Sequence, residues 1–268
     1  MILFDGMYSL ASVGLSLLAI LGSVYIGKKD YEKYPFGKRM IEPLIVIIMS
    51  LAIFMMCMYS LSGAIRDLLN GGNEVEYGYA LIYAIISTVG CGVAYIFLKR
   101  KGKTINSSLL TVESNQWLMD TLLSMGVLIG FLIANILQHT EFVWVNKYVD
   151  PLMVIMCSLI FIKMPVKAFI EGLKELLEFK ADDSITSEIS NLVKGIEEEY
   201  NFEEAITRVS KTGRDLRIEI DFIYNEESNI KELDEMDTLR EKIFNSLNHI
   251  NYEKWLNVSF TKDKKWAI

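Results

Sequence analysis

The sequence predicts an α-helical transmembrane bundle of five spans followed by a small cytoplasmic α+β domain, and three observations predict it. Of 268 residues, 51% are apolar, at a mean hydropathy of +0.28, yet 23% are charged, a combination that joins a membrane part to a soluble part. Ahead of Glu178 the apolar residues gather into runs of about 20, the length that crosses a hydrocarbon core. The charge is divided as well: from Glu178 onward there are 21 acidic and 13 basic residues, net −8, against 13 and 14, net +1, before it. The domains therefore read as 1–178, in the membrane, and 179–268, in the cytosol. An acidic tail of this kind excludes nucleic acid as a partner and leaves lipid around the spans.

The runs cover about Ile2–Ile26, Pro43–Leu68, Tyr77–Leu98, Leu109–Leu137 and Asp150–Ile170. No basic region precedes the first, and Asp5 interrupts it, so a cleaved signal peptide is not expected. Lys28, Lys29, Lys33, Lys38 and Arg39 crowd the first loop, and Lys99, Arg100, Lys101 and Lys103 the third. The second and fourth loops offer mainly Arg66, Asp67, Glu74, Glu76, Glu141 and Lys147. The excess of basic residues puts the first and third loops in the cytoplasm, the N-terminus outside and the tail inside. Tyr77, Tyr79, Trp144 and Tyr148 fall near the outer ends, as an interfacial aromatic belt does, and Gly71-Gly72 marks an outer turn.

In the tail, Ile189, Leu192, Val193 and Ile196 recur at helical spacing. Ala205–Lys211 and Leu216–Tyr224 read as strands, the second alternating Ile218, Ile220, Phe222 and Tyr224, joined by a hairpin turn at Thr212-Gly213-Arg214. A helix over about Ile230–Ile250 and a strand over Trp255–Thr261 complete the order helix, strand, strand, helix, strand. A small open sheet with two helices on one face satisfies that order.

Chemistry concentrates in two places. Gln116 and Asp120 are four residues apart at the start of the fourth apolar run, and Asp5 and Ser9 are four apart at the start of the first. Each pair shares a helix face, so two helices bring oxygen-bearing side chains to membrane depth. A carboxylate there is expensive and marks a functional site. Glu113, a turn before Gln116, reads as a solvated interfacial charge, with a cytoplasmic mouth residue that collects cations as the alternative, and Asp150, followed by Pro151, reads as a helix N-cap. Cys57, Cys91 and Cys157 lie inside apolar runs without metal-binding spacing and read as buried small hydrophobes. His139 and His249 are too few for a cluster, and Asp182, Asp183, Glu197, Glu198 and Glu199 read as a solvated face, with weak hard-ligand binding of cytosolic metal ions as the alternative. Nothing indicates an enzyme: there is no nucleophile–base pairing, Gly-rich phosphate loop or HExxH-like helix. The competing class is a non-transporting, degenerate or truncated membrane interaction or sensory protein whose tail dimerises. Such an anchor has no use for two carboxylates in the membrane.

With both pairs and the tail in view, the chain resembles the cation diffusion facilitator (cation efflux) family of divalent-metal transporters. Asp5-Gly-Met-Tyr-Ser9 resembles that family's second helix. The stretch Tyr34-Pro35-Phe36-Gly37-Lys38-Arg39-Met40-Ile41-Glu42-Pro43 resembles its Phe-Gly loop with a following Glu. Gln116-Trp-Leu-Met-Asp120 stands where its fifth helix carries a His-x-x-x-Asp pair, Asp150-Pro151 resembles the start of its sixth, and the tail resembles its ferredoxin-like, metallochaperone-like cytoplasmic domain. The resemblance implies a homodimer in the inner or plasma membrane that exports a divalent cation in exchange for protons, by alternating access around a four-ligand site. The matching positions are Asp5, Ser9, Gln116 and Asp120.

The departures are informative. Ser9 replaces a usual Asp and Gln116 a usual His or Asp, so the site is all oxygen; among Mn²⁺, Fe²⁺, Zn²⁺ and Co²⁺ it favours the harder ions, as it would Mg²⁺. Asn115 is one residue off the shared face and ranks lower as a ligand. Lys38 stands in place of a loop histidine. No stretch of this sequence matches the family's first helix: either more chain precedes Met1, or the chain is a five-span variant in which Asp5, four residues after Met1, is expected near the outer end of a shortened helix.

Overall fold

The structure, a computed structural model, describes residues 2–28, 30–72, 78–137 and 143–267, with side chains described from residue 14 in the first helix and from 85 in the third. The chain divides into two compact units, Met1–Leu173 and Lys174–Ile268. The first is helical: α1 (Ile2–Gly27), α2 (Ile41–Leu69), α3 (Gly78–Ile105), α4 (Ser108–Leu137), α5 (Asn146–Phe161) and α6 (Lys163–Leu176), whose last turn runs into the second unit. Helices cover the described parts of the five apolar runs, the last run being divided between α5 and α6. Among the described residues, two stretches, Ile41–Leu69 and Asn146–Leu176, are long and apolar enough to cross a membrane.

Three boundaries differ from expectation, each for a local reason. Residues Lys99 to Lys103 continue α3 rather than forming a loop; the helix ends where Asn106 turns left-handed (φ 49°). The last apolar run starts a turn early, at Asn146, so Asp150 lies inside α5 and is not its N-cap. Pro151 then has no N–H for the carbonyl of Lys147. Gly72 packs on that same carbonyl, where a Cβ would sit 2.4 Å from the oxygen, and its φ of +92° suits glycine alone. Finally, Pro165 has no N–H for the Phe161 carbonyl, and the helix breaks at Ile162 and restarts as α6 with Pro165 in the first turn.

Contacts give the helix directions. In α3 and α4, Gly102 meets Leu110, Gly92 meets Thr121, and the Ser87 and Ser124 hydroxyls hydrogen-bond at 3.0 Å, so the two run antiparallel. Gly126 lies by Met153 and Cys157, and Gly130 by Val149, making α4 and α5 antiparallel; Cys57 Sγ donates to the Ser158 carbonyl (3.5 Å), and Gly72 meets Lys147, giving α2 and α5 the same relation. Hence α2 and α4 point one way and α3 and α5 the other. Gly22 near the end of α1 packs on Ile45 near the start of α2, while Leu15 and Ala19 join Val46, Met49, Val112 and Met119 in the bundle core.

The second unit holds α7 (Asp183–Glu199), β1 (Glu204–Thr212), β2 (Asp215–Ile223), α8 (Leu233–Ser246) and β3 (Glu253–Thr261). The sheet order is β1-β2-β3, antiparallel between the first two and parallel between the last two, with Thr212 opposite Asp215 across the two-residue Gly213-Arg214 loop. Period-two alternation puts Leu216, Ile218, Ile220 and Phe222 on one face, fully buried with Ile189, Val193 and Ile196 of α7 and Leu239 and Ile243 of α8. The opposite face is polar and carries the Arg208–Asp221 and Arg217–Glu219 ion pairs. Phe202 stacks on Phe222 (4.5 Å between centroids), which stacks on Phe260 (5.6 Å). Helix α8 is shorter than the expected Ile230–Ile250 because Glu232 and Glu235 form a capping box that starts it at Leu233.

Candidate cation site

Four polar residues recur along one side of α4: Glu113, Gln116, Asp120 and Ser124, at spacings of three, four and four. Gln116 is buried (2% exposed) and Asp120 half-buried. One turn beyond Asp120, Ser124 meets Ser87 of α3, which also lies 3.8 Å from Cys91 Sγ. Asn115 points elsewhere, lining an apolar groove with Ile53, Val112, Met119 and Phe161. That placement fits its lower rank as a ligand.

Glu113 corrects the sequence reading. Instead of a solvated charge, its side chain is 6% exposed, and Oε1 accepts hydrogen bonds from Ser16 Oγ of α1 (2.5 Å) and Trp117 Nε1 (3.2 Å). Helix α1 lies over the first turns of α4 and covers a residue that composition alone puts at the helix end. Ser16 was not anticipated, although a signal existed: it is seven residues after Ser9 and eleven after Asp5, close to whole turns, so all three fall on one side of α1.

Asp5 and Ser9 are both in α1, four residues apart as expected, but their side chains lie outside the described residues. The structure therefore brings Gln116 and Asp120 together and leaves their meeting with Asp5 and Ser9 open. His139, Glu141 and Tyr77 lie outside the described residues too.

The Phe-Gly loop holds the helix ends. Gly37 turns the chain at φ +79°, and Lys38 reaches back to donate to the carbonyls of Tyr25 (3.2 Å) and Lys28 (2.9 Å) past the last turn of α1, with its ammonium 4.0 Å from the Tyr25 ring centroid. Glu42, the loop's following acid, is 3% exposed; its Oε1 accepts from Ser107 Oγ (2.8 Å) and Leu109 N (3.4 Å). A carboxylate from α2 thus caps the N-terminus of α4, the helix bearing Gln116 and Asp120.

The tail's acids are engaged otherwise. Asp183 pairs with Lys180, Glu199 with Lys242 and Glu188 with His249, while Glu197 accepts from Ala205 N. Hydrogen bonding to Lys180, then its charge, holds the Asp183 carboxyl below its usual range. Buried Glu175 accepts from Lys211 Nζ and Gly213 N at the hairpin turn. Among the described residues no three of His, Cys, Asp and Glu converge on a metal-sized space. Cys57 is buried, as expected, whereas Cys91 and Cys157 are half-buried; all three are free thiols.

Residues 1–177 match the family model of the cation efflux transmembrane domain. The chain belongs to the cation efflux family. The resemblance read from the two spaced pairs, the Phe-Gly loop and the tail is borne out, and the protein is a membrane protein of the metal-cation transport class. Similar proteins include the magnetosome protein MamB of Magnetospira sp. (strain QH-2), 22% identical over 247 residues, 92% of this chain and 81% of that one. The manganese efflux system protein MneP of Bacillus subtilis (strain 168) is 24% identical over 190 residues, 70% of this chain and 63% of its own. The magnetosome protein MamM of Magnetospirillum gryphiswaldense is 21% identical over 188 residues, 70% of this chain and 57% of its own. The matches thus span less than two thirds of the latter two relatives.

Proposed function

We propose that this cation efflux protein is a homodimeric divalent-cation/proton antiporter that exports its cargo from the cytoplasm by alternating access, with Asp5, Ser9, Gln116 and Asp120 as the cargo ligands. In this reading five helical spans cross the inner or plasma membrane, with the α+β domain in the cytosol. The observation that carries the reading is the polar stripe on α4, where buried Gln116 and half-buried Asp120 lie beside the apolar cluster of the bundle core.

The Ser16–Glu113 hydrogen bond supports, through helix register, the pairing of Ser9 with Asp120. The contacts at Gly22 and Ser16 make α1 antiparallel to α4, so equal steps from Ser16–Glu113 come level. Seven residues, about 10 Å of helix, lead back along α1 to Ser9 and forward along α4 to Asp120; Asp5 is a further turn along, level with Ser124. Two carboxylates supply the charge that strips water from a cation, and the neutral oxygens of Ser9 and Gln116 complete its shell. Protonation of a carboxylate weakens the hold on the ion, which links release to protons. An all-oxygen site favours Mn²⁺ or Fe²⁺ over Zn²⁺, in keeping with the manganese efflux named for one relative.

The test is uptake of Mn²⁺, Fe²⁺, Zn²⁺ and Co²⁺ into inside-out vesicles under a proton gradient. Uptake of Mn²⁺ or Fe²⁺ ahead of Zn²⁺, collapsed by a protonophore, is expected. No uptake of any ion by folded, dimeric protein would move the assignment to a non-transporting membrane interaction or sensory role.

A further inference from the structure

We propose that Glu113 and Ser16 form a separate cation station between the α4 N-terminus and the Asp120 site, where the cargo is held before it reaches the four-ligand site; this rests on the transport reading above. The Glu113 side chain is more than nine-tenths buried, and its two oxygens differ. Oε1 accepts from Ser16 Oγ and Trp117 Nε1, whereas Oε2 is buried with no hydrogen-bond partner among the described residues. No ion pair to Glu113 occurs among the described residues either.

A buried carboxylate with one oxygen unsatisfied carries a desolvation penalty of several kcal/mol unless a cation meets it. In a protein whose family moves divalent cations, the cargo is a cation of the right chemistry. Glu113 also stands in the right place. It lies seven residues before Asp120 on the same side of α4, about 10 Å along the axis, on the side of the basic Lys99–Lys103 stretch that the charge pattern assigns to the cytoplasm. The hydroxyl of Ser16 supplies a second hard oxygen from the opposite helix, and the polar side of α4 leads from Glu113 to Gln116 and Asp120. The Trp117 indole holds the carboxylate from the side and, as a donor only, cannot ligate the ion.

The test is a Mn²⁺ titration, read by the electron paramagnetic resonance of the free ion, on the purified full-length chain. It compares Asp120→Asn with the double variant Asp120→Asn/Glu113→Gln. Glutamine keeps the size of Glu113 and an oxygen acceptor for Ser16 and Trp117, so the change removes charge with little loss of packing. The single variant is expected to retain a Mn²⁺ site, and the double variant to bind at that site at least about tenfold more weakly, the scale of losing one charge-assisted contact. Ser16→Ala in the Asp120→Asn background is expected to weaken the same site several-fold, and it decides the matter should the glutamine variant not fold. In vesicles, Glu113→Gln alone is expected to raise KM for Mn²⁺ while Vmax is retained. Superimposable titrations of the single and double variants would overturn the proposal and leave Glu113 as a structural brace. Failure of the transport reading would appear separately, as absence of uptake by the unmodified chain, which the titration does not require.

Discussion

Replacing Glu42 tests whether the Phe-Gly loop holds the ligand-bearing helix in place. Glu42 is 3% exposed and accepts from Ser107 Oγ at 2.8 Å and, more weakly, from Leu109 N at 3.4 Å. Glu42→Ala removes one good charge-assisted hydrogen bond, about 1.5–3 kcal/mol, and a negative charge at a helix N-terminus, about 0.3–1 kcal/mol. It also leaves a buried hydroxyl and an amide of the first turn without this acceptor. Relief from burying a charge offsets part of the loss, and a net destabilisation of about 3 kcal/mol follows. For a chain of this size that lowers the melting temperature by about 6–12 °C. Glu42→Gln, which retains an acceptor but not the charge, is expected to lose less than half as much. The assay is thermal unfolding of the detergent-solubilised protein followed by circular dichroism. A Glu42→Ala protein melting within about 1 °C of the unmodified chain would refute the reasoning.

Gly72→Ala puts a Cβ 2.4 Å from the Lys147 carbonyl at a φ of +92°, and a loss of about 1–3 kcal/mol is expected in the same melt. In the cytoplasmic domain, Phe222→Ala removes the ring between Phe202 and Phe260 and is expected to cost about 3–5 kcal/mol, read as loss of the tail's slow-exchanging amides. Glu235 accepts from the amides of Lys231 and Glu232, and those bonds hold its carboxyl below the ordinary 4.5. Its contribution is therefore present above pH 4.5 and lost as the pH falls through the lowered value, so protection of those two amides is expected to fade under acid conditions. In Glu235→Gln that acid-dependent loss is expected to disappear.

What the sequence makes legible is what periodicity alone decides. The alternation Ile218, Ile220, Phe222 and Tyr224 reads as a strand with one buried face, and β2 carries its first three residues fully buried, ending at Ile223, one residue before Tyr224. Helix–helix packing in a membrane is less legible, because lipid and a neighbouring helix both accept apolar side chains. Glu113 illustrates the gap: nothing near it in sequence says that Ser16 of another helix lies across it, so it reads as exposed and is buried. A lone serine such as Ser87 carries no pattern until the contact is seen. Pro151 misled in the opposite sense: it suggests a helix start and lies inside α5. The run Lys99–Lys103 reads as a loop because it is charged, yet it extends α3, since lysine and arginine are good helix formers. Lys38, noted only for replacing a histidine, binds the carbonyl end of α1.

The most direct measurement is proton-driven Mn²⁺ uptake into inside-out vesicles by the unmodified chain beside Asp120→Asn and Asp5→Asn, each present in equal amount and shown to be folded. Asparagine keeps the shape of each side chain and removes only the charge. If these two carboxylates hold the cargo, uptake falls to the level of empty vesicles in both variants. Uptake that survives in both would contradict the assignment of Asp5 and Asp120 as cation ligands, whatever the family does elsewhere.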